Sequence, residues 1–333
     1  MKKDYIEDKY GPQSSGDNLF TRKARLLQSI YRSEVLEEKE FGIGPYKNSV
    51  HKIKNASGES TGETRPSYYG NILVNGDITG KNFFYNKTFQ YAENRLKKKM
   101  KEETIDAYRL FNNLLSSMPM TFNLFHPLML IMEKYPKELN KMIQDVFPAL
   151  PVYEVLDIRI EFIPTPISDY INDKSAIDAV IIFKDKNYEK HLLAIEVKYT
   201  DSLGKNKASE NKLKYNTAKD IGQFTDEGLK LISKGCQQIY RNYLLTEKYR
   251  LIQGIKESYS IILAPKDHPS TKREIESLKN YLKPEFHFKI LKNDLEYFIE
   301  KLNLNSPFDY KDWLKKFHDR YLNFSLANSL LKD

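Results

Sequence analysis

Between residues 152 and 201 the chain switches from helical to strand periodicity. The segment VYEVLDIRIEFIPTP alternates apolar and polar positions, as a half-buried strand does. IDAVIIFKD and HLLAIEVKYT follow as apolar strands, separated by KDKNYEK, which reads as a hairpin loop. Ahead of this block the pattern is helical. From about residue 88, Leu96, Met100, Ile105, Tyr108, Phe111 and Leu115 recur at mixed three- and four-residue spacing until Pro119 interrupts them. FNLFHPLMLIMEKY and KELNKMIQDVF then predict two short helices separated by Pro136.

Beyond the strands, KASENKLKYNTAKDIGQF reads as a polar connection and LKLISKGCQQIYRNYLLTEKY as one amphipathic helix. SYSIILAPKDHP is a further buried strand, FHFKIL a last strand, and DWLKKFHDRYLNFSLANSLL a closing helix. This order predicts an α/β fold with a mixed sheet over residues 91–333. Residues 1–90 differ. A helical patch, RKARLLQSIYRSEVLEEKE, leads into NASGESTGETRPSYYG, whose Gly, Ser, Thr and Pro are loop chemistry. NGDITG is a turn signal, and FFYNKTFQY is a strand or bend. This region is expected to be an arm or subdomain lying over the main fold.

The chemistry concentrates in HLLAIEVKYTD. The two-residue period puts Ala194, Glu196, Lys198 and Thr200 on one face of the strand. Buried charges are costly unless something compensates them. Asp178 opens the preceding apolar strand, and a short hairpin lays it beside Glu196. Two adjacent carboxylates repel unless a cation lies between them. Mg²⁺, a hard cation that takes oxygen ligands and keeps waters for phosphate, suits the pair as metal ligands. Lys198 then serves the attacking water or the scissile phosphate. The other reading is a solvated edge strand in which Glu196 and Lys198 form a surface pair of little worth. Glu-x-Lys alone carries no weight, since it recurs at Glu7–Lys9, Glu37–Lys39 and Glu210–Lys212 in polar surroundings.

Ile177-Asp178 followed by Ile195-Glu196-Val197-Lys198 resembles the Asp…Glu-x-Lys signature of the PD-(D/E)xK nuclease superfamily, which includes many restriction endonucleases. SSMPMTFNLF at 116–125 resembles the Ser-Ser-Gln-x-x-x-x-Asn-x-Phe segment of a bacterial restriction-endonuclease-like branch, with Met118 in place of Gln. QIYRN at 238–242 resembles that branch's Gln-x-x-Arg-Asn helix motif, and Tyr199-Thr200-Asp201 fits its continuation. Ile177 stands where Pro is common. The resemblance covers about residues 110–265. It implies a three-layer core with a central mixed sheet flanked by helices and Mg²⁺-dependent DNA cleavage, Mn²⁺ being able to substitute. It also implies double-stranded DNA as partner and a role in restriction or defence, with a homodimer or a defence-system protein as possible company. A repair or junction-resolving nuclease uses the same chemistry, and a non-catalytic DNA-binding subunit retaining the fold is the alternative from another class.

Supporting residues leave choices open. An upstream acid often completes such sites. Glu161, on the strand next to Asp178, is one candidate, and Glu93 is the other unless it lies on a solvated helix face. Gln238 and Arg241, three apart, share a helix face and reach either a phosphate, the site's carboxylates, or only a helix terminus. Lys205 and Lys207 open a Lys-rich stretch, 205–219, that is expected to meet DNA phosphates. His126 and Cys236 read as core residues.

Composition adjusts this picture only slightly. The 333 residues carry a net charge of +8 and 40% apolar residues, enough for a substantial core and suited to a phosphate-rich partner. One cysteine excludes an intramolecular disulfide and a multi-cysteine zinc site. No apolar run approaches a membrane span, and no Gly-rich phosphate loop is present. The expectation is a cytoplasmic protein.

Overall fold

The computed structural model describes residues 2–201 and 212–331; Lys205 and Lys207 lie outside the described residues. The chain forms two compact units. One comprises Met1–Leu96, Asp106–Met120 and Lys315–Asp333; the other comprises Lys97–Ile105 and Thr121–Leu314.

In the first unit, helix Leu19–Ile30 starts where Asn18 Oδ1 accepts the Thr21 N–H at 2.9 Å, as a helix N-terminus requires. Two strands, β1 (Val50–Lys54) and β2 (Ser60–Pro66), pair antiparallel as an exposed hairpin. The sequence around 55–67 reads as loop because no position of β2 is buried and no alternation marks it. FFYNKTFQY likewise runs into a helix, Asn86–Lys97, and not a strand. That helix stops at Lys97, so the apolar spacing from Leu96 to Leu115 spans an irregular stretch before helix Ala107–Asn112. Buried Arg320 donates to the Asn82 carbonyl at 2.8 Å, while Gln28 donates to the Arg320 carbonyl at 2.7 Å, so the buried guanidinium is hydrogen-bonded.

The second unit is built on a five-stranded mixed sheet in the order β3-β4-β5-β6-β7. Its strands are β3 (Glu154–Phe162), β4 (Ile177–Lys184), β5 (Lys190–Val197), β6 (Glu257–Ala264) and β7 (Ile290–Asp294). β3, β4 and β5 run antiparallel, and β5, β6 and β7 run parallel. Val180, Ile182, Leu192 and Ala194 pack against helices Lys212–Ile221, Gln238–Ile252 and Thr271–Tyr281 on one side. On the other, Ala179, Ile181, Leu193 and Ile195 are also buried, and helices Pro136–Val146 and Leu295–Leu304 pack together beside β3 and β7. Burial on both faces is why β4 and β5 read as near-continuous apolar runs. Each buried Val, Leu or Ile among them contributes about 1.5–3 kcal/mol on leaving water. The α/β fold with a mixed sheet between helical layers is as expected.

Four elements depart from their sequence reading, one being the closing helix, which is two, Lys311–Tyr321 and Ser325–Leu331. The polar connection ends in a helix, Lys212–Ile221, and the long amphipathic helix is two, Asp226–Lys234 and Gln238–Ile252, parted at Gly235 with φ +152°. FHFKIL is mostly a 3-10 turn, Pro284–Lys289, ahead of β7.

Candidate active site

The site lies at the carboxyl end of β5. There β5 stops at Val197, and the Lys198 N–H extends the ladder by donating to the Leu263 carbonyl at 2.9 Å. Because β4 runs antiparallel to β5, its first turn lies at this same end. Asp178, second residue of β4, is half-buried, and its Oδ2 accepts the Val197 N–H at 2.7 Å. Clefts outside the carboxyl ends of sheet strands are where open α/β folds bind ligands.

Glu196 and Lys198 are 5% and 7% exposed, so the solvated edge-strand reading does not hold. Lys198 Nζ is 2.6 Å from Glu196 Oε1. Gln238 donates its amide N–H to the same oxygen at 2.8 Å, and Asn242 donates to Oε2 at 2.6 Å. A buried carboxylate is tolerable when its lone pairs are met in this way. Gln238 and Asn242 stand four apart on helix Gln238–Ile252, hence on one face, and that face holds both carboxylate oxygens. The sequence reading quoted Asn242 within QIYRN but gave it no role, although the i, i+4 spacing from Gln238 puts it on the same face.

Electrostatics at the site are unbalanced. Burial, then the charges of Glu196 and Glu161, push the Asp178 carboxyl well above the ordinary range, against opposition from Lys198 and the Val197 N–H. For Lys198, burial favours the neutral amine, but Glu196, Asp178 and Asp201 together outweigh it and raise its pKa. An ammonium held charged beside a carboxyl pushed up by its neighbours is the kind of perturbed pair that marks a functional site.

Glu161 is buried near the end of β3, between the pairs Ile160↔Ala179 and Phe162↔Ile177, which sets it opposite Asp178. Its φ is +50°, a strained conformation for a residue with a Cβ, costing about 1–3 kcal/mol. Arg241 turns elsewhere: its guanidinium donates to the Cys236 carbonyl at 2.8 Å and to Ser175 Oγ at 3.2 Å, and lies 3.5 Å from Asp173. It fastens the approach to β4. Glu93 lies on helix Asn86–Lys97 in the other unit. Cys236 and His126 are buried, as core residues are. Asn123, from the SSMPMTFNLF segment, is fully buried and gives its carbonyl to the Trp313 indole N–H at 2.8 Å.

Among the described residues no three His, Cys, Asp or Glu side chains are gathered into a ready-made metal cluster. The donors on offer are carboxylate oxygens, with Asp178 the one most in need of positive charge. No helix among them is long and apolar enough to cross a membrane. No curated protein and no solved structure matches the chain. A family model described as the PD-(D/E)XK nuclease superfamily matches residues 15–323. By that match over nearly its whole length, the chain belongs to the PD-(D/E)XK nuclease superfamily.

Proposed function

We propose that the protein is a metal-dependent DNA endonuclease, of the bacterial restriction-endonuclease-like branch, acting in restriction or defence against foreign duplex DNA. The observation that carries this reading is the Asp178 carboxyl tied at 2.7 Å to the backbone between Glu196 and Lys198. That tie brings two acids and a charged lysine to one sheet end. Nucleases of this superfamily generally use divalent metals, and the hard oxygen donors of Asp178 and Glu196 suit Mg²⁺ or Mn²⁺. Bound there, the cation supplies a bound water of lowered pKa and neutralises charge on the scissile phosphate.

The chain's own residues do the rest. Lys198 carries a fixed positive charge within reach of Glu196 and turns toward a phosphate or its attacking water, where charge develops in the transition state. Gln238 and Asn242 hold Glu196 in a single rotamer, so its oxygens meet the reacting centre preorganised. Glu161 serves as the additional acid beside Asp178. Arg241 steadies the segment that delivers Asp178, and Lys205 and Lys207 contact DNA phosphates. Residues 1–90 act as a DNA-facing arm to the nuclease portion, 91–333, and the protein works in the cytoplasm, as a homodimer or beside a defence-system protein.

The test is cleavage of plasmid and linear DNA in Mg²⁺, Mn²⁺, Ca²⁺ and EDTA, with Asp178→Ala and Lys198→Ala beside wild type. Cutting in Mg²⁺ and Mn²⁺ that both variants lose supports the assignment. DNA that is bound equally by all three and cut by none contradicts it.

A further inference from the structure

The unit containing residues 1–96 holds a second concave site, a pocket of about 690 Å³. This is within the range that accommodates drug-sized ligands, about 300–1,000 Å³. Two stretches of chain line it: Glu7 to Ser15, and the base of the β1–β2 hairpin with Tyr68 and Tyr69 beyond it. Its floor is fixed. The Gly70 N–H donates to the Pro12 carbonyl at 2.8 Å, and a Cβ on Gly70 would lie 2.2 Å from the Tyr10 carbonyl, so only glycine permits the approach. Arg32, 1% exposed, donates to the Tyr10 and Gly70 carbonyls at 3.1 and 2.6 Å.

The lining is chemically mixed in a specific way. Lys52 and Arg65 are exposed, and neither is paired with a carboxylate among the described residues. Tyr69 is already committed: Arg25 covers its ring at 4.7 Å and its hydroxyl is 3.5 Å from His51 Nε2. Tyr68 is 45% exposed, with Phe41 packed edge-on behind it. Gln13 is pinned by donating to the Gly11 carbonyl at 2.9 Å and Ser29 Oγ at 3.1 Å. This leaves Oε1 as its unspent acceptor, and Glu7 adds a carboxylate to the same lining.

An aromatic face, two unpaired cations and carbonyl or carboxylate acceptors are the three recognition elements of a nucleotide. Bases stack on exposed aromatic rings, cations take phosphates, and Gln or Glu oxygens accept from exocyclic amines. Resting on the reading of the chain as a DNA nuclease, we infer that this pocket holds one nucleotide of the DNA substrate. The base lies on Tyr68 with its amino edge toward Gln13 and Glu7, and its phosphate on Arg65, which shares its hairpin face with His51.

Saturation-transfer NMR on the full chain in EDTA tests this, with dCMP and deoxyribose 5-phosphate as probes and thermal melts as a folding control. The base protons of dCMP are expected to receive saturation in wild type and Tyr68→Phe. Tyr68→Ala and Arg65→Ala are each expected to weaken binding about tenfold while melting as wild type does. Equal dCMP binding by wild type and Tyr68→Ala, or equal binding of the baseless sugar phosphate, overturns the proposal. Plasmid cutting by the same preparations separates the two readings. Cutting without Tyr68-dependent nucleotide binding removes the pocket alone, whereas such binding without cutting upholds the pocket and counts against the nuclease.

Discussion

Asp178 Oδ2 accepts the backbone N–H of Val197 at 2.7 Å. One hydrogen bond thus locks the first acid of β4 to the residue that separates Glu196 from Lys198 on β5. The bond is available because β4 and β5 pair antiparallel, with Ala179 opposite Ile195 as the last registered pair. Beyond that pair the acceptor for the Val197 N–H is the Asp178 side chain.

The charge on Asp178 works against the fold. Its carboxyl is raised above the ordinary value by burial and by Glu196 and Glu161. The folded chain in EDTA therefore binds this proton more tightly than the unfolded chain, whose aspartates titrate near about 3.9. Stability from this group is fully present below that value and is lost as pH rises through the raised folded value. Asp178→Asn abolishes this loss, so in EDTA at neutral pH it melts above wild type, while its cleavage falls by about 10³-fold or more. Differential scanning calorimetry from pH 4 to pH 8 checks the sign. Wild type melting above the variant at pH 8 would refute it.

Gln238 and Asn242 both donate to Glu196, so the expected role of each is to orient that carboxylate. Gln238→Ala and Asn242→Ala should each lower cleavage about 10–100-fold, the usual cost of removing a partner that orients a metal-binding side chain. Each should also raise the metal concentration needed for half-maximal cutting, with DNA affinity in EDTA unchanged. An unaltered metal titration in both variants would show that Glu196 needs no such support.

Away from the site, Glu247 is a buried anion held by four donors. Gln223 and Arg250 reach Oε2 at 2.7 and 3.0 Å, and Ser258 and Lys289 reach Oε1, the latter at 3.3 Å. Glu247→Ala takes the carboxylate from Arg250 and leaves Lys289, 3% exposed, with Glu257 alone. It should cost about 3–5 kcal/mol in urea denaturation.

The thiol of Cys236 is fully buried, and burial pushes its pKa up to about 12. Only the thiolate reacts. Native protein at pH 8 should therefore resist iodoacetamide, while protein in urea is modified within minutes; intact-mass spectrometry reads both.

The core of the site was legible because it breaks a rule. Charges at Glu196 and Lys198 inside an apolar strand need a compensating partner, and Asp178 at hairpin distance supplied the geometry. Asn242 was quoted in QIYRN but given no role, because the three-residue spacing of Gln238 and Arg241 drew notice; Glu196 is held by Gln238 and, at spacing four, Asn242, while Arg241 turns to Asp173. Helix Lys212–Ile221 was hidden for a different reason. Its buried positions include Lys214 and Thr217, with Lys214 satisfied by Asp173 at 3.0 Å, so its inner face carries little apolar periodicity. β2 was illegible because it buries nothing, and the break between Asp226–Lys234 and Gln238–Ile252 was signalled by Gly235, outvoted by the apolar spacing around it.

The most direct test of the account pairs binding with chemistry in one variant. Wild type and Asp178→Asn are compared for duplex DNA affinity in EDTA, by fluorescence anisotropy, and for plasmid cleavage in Mg²⁺. Equal affinity with cleavage lost only in Asp178→Asn is the predicted result. Cleavage by Asp178→Asn at the wild-type rate would contradict it and place the chemistry away from the end of β5.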